Sequence, residues 1–525
     1  MGKGFRYYML FNSYIFIFIF LPLTLLGWYG LNYHKKYTRA NVFLAGMSLW
    51  FYGYFNVRYL AIILCSIGLN YSLSYLLTRM PVESDPAAYS APDSSAIDSH
   101  TKLCRRISLI TGIALNLGIL FYFKYYDFFI ENINLAFRTD FTLKHILLPL
   151  GISFFTFQQL SFIIDRCLGR CEHYSLVNYV TFVTFFPQLI AGPIVLYKEM
   201  IPQFENVSRR SFNASSFSRG IYLFVLGLAK KVLLADTFAL MANFGFAQTF
   251  SLDCISTIAV VLAFAFELYF DFSGYSDMAM GLGKMFNIEL PVNFNSPYRS
   301  CSMKEFWQRW HITLSRFFTT YVYIPLGGNR KGRIRMLINT FIVFLLSGLW
   351  HGAAWTFVAW GAMHGLLVVW DNLGIVGIRG CDEKRPSRFH IPAWLGWIFT
   401  FAFYNMSLFF FRSQSMTAAI QLFKNLLSGR YTGKIYEVAA QLDIAEIYII
   451  KQTVGMAAPN LADYMYVIIM ILLFVLAFYL IFKPNAYERA MRGELTSGRC
   501  WGICILLVWC IVSLSQVSTF LYFNF

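Results

Sequence analysis

From Asn339 to Trp370 the chain runs for 32 residues without one Lys, Arg, Asp or Glu. About twenty apolar residues are enough for a helix to cross the hydrocarbon core of a bilayer. In that medium every backbone amide must find its partner inside the segment, which leaves the helix as the natural form of such a run. Comparable runs recur near residues 8–30, 40–56, 59–78, 107–130, 143–164, 176–196, 218–240 and 254–280, and again near 393–412, 464–483 and 500–520. The predicted fold class is therefore all-α, a polytopic integral membrane bundle of about twelve transmembrane helices forming a single membrane domain over residues 1–525. Composition agrees. Hydrophobic residues make up 58% of the chain and charged residues only 13%, where a soluble domain carries about a quarter.

The formal net charge of +16 belongs to topology and not to nucleic acid. "HKKYTR", "KLCRR", "GNRKGRIR" and "KPNAYERAMRGELTSGR" are short basic loops, the kind retained in the cytoplasm, where they also face anionic headgroups. The first apolar run has Lys3 and Arg6 ahead of it and no small-residue cleavage site, so it is expected to stay as a helix. Arg6 stands where a myristoylation signal needs Ser or Thr. Ten cysteines lack a CxxC pair; Cys167/Cys171 and Cys500/Cys504 share helix faces and read as small apolar filling, with no metal site expected.

Three stretches break the pattern. Pro81 to His100 is rich in Ser, Pro, Ala and Asp and reads as a flexible loop; Arg379 to His390 is a second break. Residues 413–463 mix apolar and polar residues without reaching a full span, as a surface region with a short helix ending at Gly429. The segment from Phe270 to Gly332 is richer in polar groups and is interrupted by Pro291, Pro297 and Pro325. Irregular backbone at membrane depth must be buried in protein or line a wet cavity, so a cavity is expected beside it.

Three histidines lie in or near this region. On a helical wheel "KEFWQRWHITLSRFF" gathers Trp307, Trp310, Leu314, Phe317 and Phe318 on one face and Lys304, Gln308, Arg309 and Arg316 opposite, with His311 at the boundary. That pattern suits a helix at an interface or lining a funnel. His351 stands about 12 residues into its apolar run, which puts it near the bilayer middle, where an ionisable group faces an internal path or a polar partner. Gly348 and Gly352 flank it and leave room for another backbone or a ligand. His364 reads as an interhelical hydrogen-bonding residue.

Several long stretches, "SFFTFQQLSFIIDR", "FFPQLIAGPI", "DFSGYSDMAMGLGKMFNIELPVNFNSPY", "EFWQRWHITLSRFFTTYVYIPLGGNRKG" and "LSGLWHGAAWTFVAWGAMHG", resemble the membrane-bound O-acyltransferase family, and most closely its bacterial branch of alginate O-acetylation membrane proteins. The resemblance covers residues 145–370, the motif-bearing catalytic core. It implies a bundle whose re-entrant or interfacial helices line a central tunnel. It implies His351 as the general catalytic residue and His311 as the second active-site residue. The chemistry fits these residue types. Acyl transfer from a thioester to a hydroxyl needs a base, and a buried, neutral imidazole is one. No GxSxG elbow or catalytic-cysteine pattern is present, so a Ser–His–Asp hydrolase is not expected. The working assignment is His351 as base and His311 as an orienting or polarising group.

By the same resemblance no bound cofactor is expected. The acyl donor would be a thioester such as acetyl-coenzyme A, the acceptor side a periplasmic or surface acetyltransferase acting on a polysaccharide such as alginate, and the location the bacterial cytoplasmic membrane. Peptidoglycan O-acetylation and teichoic-acid D-alanylation use the same chemistry. A transporter or lipid-handling protein is a reading of another class, but the chain shows no internal repeat. Arg330, Lys331 and Arg333 are candidates to meet the donor's phosphates, beside their role in topology. Finally, residues 520–525, "FLYFNF", resemble the end of the small partner protein of teichoic-acid D-alanylation, which implies Tyr522 as an acyl relay on the outer face; an aromatic belt at the interface explains the same residues.

Overall fold

The computed structural model describes residues 9–80, 99–379, 387, 389–458, 461–493, 496–514 and 520–521. The loop expected at 81–100 therefore lies almost wholly outside the described residues, and so does Tyr522. Almost every described element is a helix; a two-stranded parallel pair, Val376–Arg379 with Phe389–Pro392, is the exception. Seven described helical stretches are long and apolar enough to cross a membrane: Phe16–Tyr33, Val57–Thr78, His100–Phe137, Cys254–Met285, Arg333–His351, Ala393–Arg412 and Tyr464–Ile481.

Of the other apolar runs, that at 40–56 folds as the 19-residue helix Tyr37–Phe55, whereas those at 143–164, 176–196 and 500–520 fold as something shorter. The run at 176–196 breaks before Pro187 into Leu176–Thr184 and Phe186–Leu189, because proline cannot continue a helix donating to the preceding turn. The run at 143–164 stays irregular until Gly151, whose φ of +72° is left-handed and whose added Cβ would stand 2.7 Å from the Leu189 carbonyl oxygen. The helix that follows, Ile152–Cys167, is buried at every residue but Ile164, so its apolar character faces protein on all sides. The run at 500–520 gives Ser497–Val512.

Contacts gather the chain into two compact units, Met1–Phe224 with Met278–Pro291, and Val225–Asp277 with Val292–Phe525. In the first, a helix we label α1 (Leu21–Tyr33) follows an aromatic cluster in which Phe20 meets Phe51 and Phe186 at ring-centroid distances of 5.5 and 5.2 Å. Polar side chains tie its helices together. Asn70 and Asn116 exchange amide hydrogen bonds, and Gln159 donates to Ser66 and accepts from Tyr179. Between apolar helices each such bond offers an alternative to an unsatisfied polar group.

The second unit includes α2 (Cys254–Met285) as far as Asp277, and the helix is mostly buried. Within this unit Asp271 and Asp236 both receive Lys231, at 2.6 and 2.9 Å, while Asp277 receives Lys230 at 2.6 Å. Buried charges of this kind persist only when paired, and removing one partner costs on the order of 3–5 kcal/mol. Also here are α3 (Met303–Arg309), α4 (Ile312–Phe318), α5 (Arg333–His351), α6 (Trp355–Leu373) and α7 (Ala393–Arg412). The region 413–463 carries Met416–Leu427, which is capped by Ser415 and followed by Gly429 at φ +61°, together with Lys434–Ala440 and Tyr448–Ala457.

Candidate active site

The stretch expected as one helix over residues 304–318 is two. Ser302 caps α3 by accepting from the Glu305 amide, and Glu305 pairs with Arg309 one turn on, at 2.9 Å. The chain then turns: Trp310 is extended and His311 takes φ 45°, ψ 53°, the left-handed region, before α4 starts. Such a conformation costs on the order of 1 kcal/mol for a residue with a Cβ. Asn293 offsets it from 18 residues upstream. Its backbone oxygen accepts from Ile312 N at 3.0 Å, and its side-chain Oδ1 accepts from Thr313 N at 3.2 Å and Thr313 Oγ1 at 2.9 Å. Asn293 is thus a cap for α4 supplied from outside the helix. His311 is not at an interfacial boundary as the wheel suggested; it is completely buried.

The same Oδ1 lies 3.2 Å from His311 Nδ1. Because that oxygen already accepts from a backbone amide, it is the oxygen end of the side-chain amide, and Nδ1 must carry the proton that it receives. Nε2 of neutral His311 is then the basic nitrogen. Donation from Nε2, which polarising a carbonyl would need, is excluded in this tautomer; acceptance of a proton or a hydrogen bond is allowed. His311 lies outside the spanning helices, and burial pushes its imidazole well below the ordinary histidine value, toward the neutral form. The rings of Phe272 and Trp350 stand 4.9 and 5.9 Å from it.

His351 is the last residue of α5, not a mid-span residue. The charge-free run begins at Asn339, but the helix begins at Arg333, after Gly332 at φ +90°. Counting from the charge-free run therefore placed the histidine too near the middle. It sits at the tip of the α5–α6 hairpin, and protein encloses it: Trp350, Trp360 and Phe411 have ring centroids 4.9, 5.1 and 5.3 Å away. The glycines before the tip serve backbone contact. A Cβ on Gly348 would stand 2.4 Å from Phe357 O, and one on Gly361 would stand 2.5 Å from Phe344 O. This close crossing holds α5 and α6 in register where His351 ends the helix.

The two histidines, 40 positions apart, meet around Trp350, which packs on both rings. The helices they adjoin also line a cavity of about 510 Å³. Its lining includes Ser347, one turn before His351, and Leu314 and Ser315, one turn after His311. At its other side it is lined by Tyr323 and Asn329. Asn329 opens the basic loop, and Arg330, Lys331 and Arg333 beside it are exposed; Arg333 donates to the Leu373 carbonyl. His364 is bonded differently. It accepts from Trp307 Nε1 at Nδ1, 3.3 Å, and meets Ser407 Oγ at Nε2, 2.9 Å. Ser407 gives its own proton to Tyr404 O, so His364 Nε2 donates and both ring nitrogens are committed to protein partners.

Phe520 and Leu521 are buried in the second unit. Leu521 N donates to Asp271 Oδ2 at 2.9 Å, and the Phe520 ring meets Tyr275 edge-on at 4.7 Å with Lys231 Nζ 4.8 Å from its centre. Asp271 precedes Phe272, the residue that packs on His311. The segment leading to Tyr522 is thus seated one residue along α2 from a wall of the histidine site. Neither Asn293 nor this seat was found by reading the sequence. For Asn293 the available signal was an asparagine between prolines, "PVNFNSP", in a motif already singled out.

A helical, multi-pass membrane protein with two buried histidines packed on one tryptophan is the class that fold and site define. Comparison with known proteins makes the class specific. Residues 168–413 match the membrane-bound O-acyltransferase family, MBOAT. The chain is 36% identical to a peptidoglycan O-acetyltransferase of Helicobacter pylori over 98% of both chains. It is 37% identical to a probable alginate O-acetylase AlgI of Pseudomonas putida over 80% of both, and 31% identical to a teichoic acid D-alanyltransferase of Streptococcus thermophilus over 45% of this chain and 60% of that one. The chain belongs to the membrane-bound O-acyltransferase family and is an O-acyltransferase.

Proposed function

We propose that this protein, in the bacterial cytoplasmic membrane, takes an acetyl group from a cytoplasmic thioester such as acetyl-coenzyme A and delivers it outward for O-acetylation of an envelope polysaccharide. The observation that carries the reading is that Trp350 packs on both His311 and His351, whose adjoining helices also line a cavity bordered by Asn329 of the basic loop. By charge that loop faces the cytoplasm, and Arg330, Lys331 and Arg333 meet the phosphates of the donor.

In the transfer, His351 takes the proton of the attacking hydroxyl as its oxygen bonds to the thioester carbonyl carbon. The carbon–sulfur bond then breaks and the leaving thiolate takes that proton from the imidazolium. On binding, the hydroxyl first donates its single hydrogen bond to His311 Nε2, whose tautomer Asn293 holds, and it turns that hydrogen to His351 when it attacks. The first hydroxyl to be acylated is that of Tyr522, a reading supported by the burial of the preceding residues Phe520 and Leu521 against α2; a second transfer passes the group to an extracytoplasmic acetyltransferase partner.

For the polymer, the end-to-end similarity to a peptidoglycan O-acetyltransferase supports peptidoglycan, and similarity over 80% of the chain to AlgI proteins supports an alginate-like exopolysaccharide. One experiment tests all of this: mass spectrometry of envelope glycans from a strain lacking the protein, complemented by wild type, His351→Ala or Tyr522→Phe. O-acetyl groups should vanish from one polymer, return with wild type, and stay absent with both variants. Isotope-labelled donor should leave an acetyl mass on the peptide holding Tyr522. Unchanged glycans in the deletion strain overturn the reading; restored acetylation by Tyr522→Phe with an unlabelled peptide removes the relay and leaves the histidines.

A further inference from the structure

In the first unit, away from the histidines, a cavity of about 720 Å³ opens at the end of α1. Arg210 lies in its wall, 5% exposed. Its guanidinium is held in an aromatic sandwich, 5.0 Å from the Trp28 ring and 5.7 Å from the Tyr37 ring. Nη1 donates to Asn32 Oδ1 and Tyr37 O, and Nη2 to Phe204 O. Every one of these acceptors is neutral, and no carboxylate pairs with Arg210 among the described residues. Nε, a fourth site of donation, is buried and has no acceptor. A buried cation without a counter-charge is costly, and an anion in the cavity would relieve that cost.

The rest of the wall says what kind of anion. Lys35, exposed and left-handed at φ 57°, stands at the rim, and no acidic residue lines the cavity. The other walls are apolar and open outward: Leu26, Tyr33 and Phe212 line the cavity and are exposed. A small soluble anion has no use for such walls, whereas an amphiphile does. The cavity also lies at the end of a candidate spanning helix that runs into the basic "HKKYTR" loop, the level at which anionic headgroups collect.

We propose that this cavity is a binding site for one anionic phospholipid, its phosphodiester on Arg210 Nε and Lys35 and its acyl chain along Leu25, Leu26 and Phe212. The site is separate from acyl transfer and takes no part in its chemistry.

Gly30 offers a clean way to block it. This glycine lines the cavity, and a Cβ built on it meets nothing within 4 Å, so the backbone has room for Gly30→Phe, which adds a bulky ring at the cavity wall. The measurement is native mass spectrometry of the purified full-length protein titrated with phosphatidylglycerol, with phosphatidylcholine and inorganic phosphate as comparison probes. Wild type should retain one phosphatidylglycerol, bound more tightly than phosphatidylcholine. Arg210→Gln, which preserves an amide donor for its neighbours, should weaken that adduct about tenfold, the effect expected for one charged hydrogen bond. Gly30→Phe should remove it while melting no lower than wild type. Unchanged phosphatidylglycerol binding in both variants overturns the site. Displacement of the lipid by inorganic phosphate alone overturns the lipid in favour of a soluble anion.

Discussion

His311 and His364 make an instructive pair. Both rings are fully buried in the second unit and packed among aromatic side chains. Yet their hydrogen bonds give them opposite capacities. His364 accepts from an indole and donates to a serine whose own proton is directed elsewhere, so its two nitrogens bind Trp307 and Ser407 together. His311 donates to Asn293 through Nδ1, and that bond puts the lone pair on Nε2. Burial and apolar surroundings therefore do not separate the two rings. What separates them is which nitrogen the protein uses as donor.

The contrast is tested most strongly at the partner of His311. His351→Ala should reduce acyl transfer by about 10²- to 10⁴-fold, the usual contribution of a positioned general base. Folded protein in the membrane should remain near wild type, because His351 ends its helix and the crossing at Gly348 and Gly361 is untouched. Transfer assays with labelled donor, normalised to purified protein, measure this. Activity at the wild-type level would mean that the histidine site does not perform the chemistry.

At His311 the question is role. Acceptance of a hydrogen bond can be mimicked by an amide oxygen, whereas uptake of a proton cannot. His311→Ala should lower transfer by about tenfold or more, the loss of one strong hydrogen bond, and His311→Asn should keep clearly more activity than Ala. Equal loss in both variants would make the ring itself a proton carrier and transfer the role of base to it.

Asn293→Ala sharpens the same point with a smaller effect. It frees the His311 tautomer and removes two bonds at the start of α4, so transfer should fall by a few-fold to about tenfold, and stability by roughly 1–2 kcal/mol. Asn293→Asp keeps the acceptor and should recover most of the stability. Its added negative charge beside Nδ1 should move the pH profile of transfer to higher pH, since a nearby anion favours the imidazolium. A purely structural Asn293 would leave that profile where it was.

Much of this arrangement was legible in residue order, and the failures have physical causes. Long charge-free runs fix a helical membrane protein, and the two histidines stand in motifs long enough to be noticed. The break at Trp310–His311 was not legible, because helical periodicity registers which face is apolar, and that face continues smoothly from Trp307 to Phe318 across the turn. The cap that permits the break comes from Asn293, and no local rule reaches 18 residues upstream. The position of His351 was misjudged because a charge-free run and a helix are different objects: Arg333 and Arg335 belong to the helix and not to the run. At Phe520 and Leu521, an aromatic segment reads the same whether it meets lipid headgroups or a buried aspartate; the Leu521 amide on Asp271 decides it for those two residues.

His364 supplies the smallest expected effect on chemistry and completes the contrast. If its nitrogens serve only Trp307 and Ser407, the ring is replaceable by any group that accepts from the first and donates to the second. Glutamine has both functions on one amide, so His364→Gln should leave transfer within about twofold and stability within about 1 kcal/mol of wild type. His364→Leu keeps the volume but leaves the indole N–H and the serine oxygen buried without partners, a cost of roughly 1–3 kcal/mol seen as a lower melting temperature in detergent. Activity per folded molecule should still be close to normal, because His364 bonds to Trp307 and Ser407 and its ring shares Trp360 with His351. A loss of transfer in His364→Gln comparable with that of His351→Ala would place His364 in the chemistry and erase the distinction between the two kinds of buried histidine.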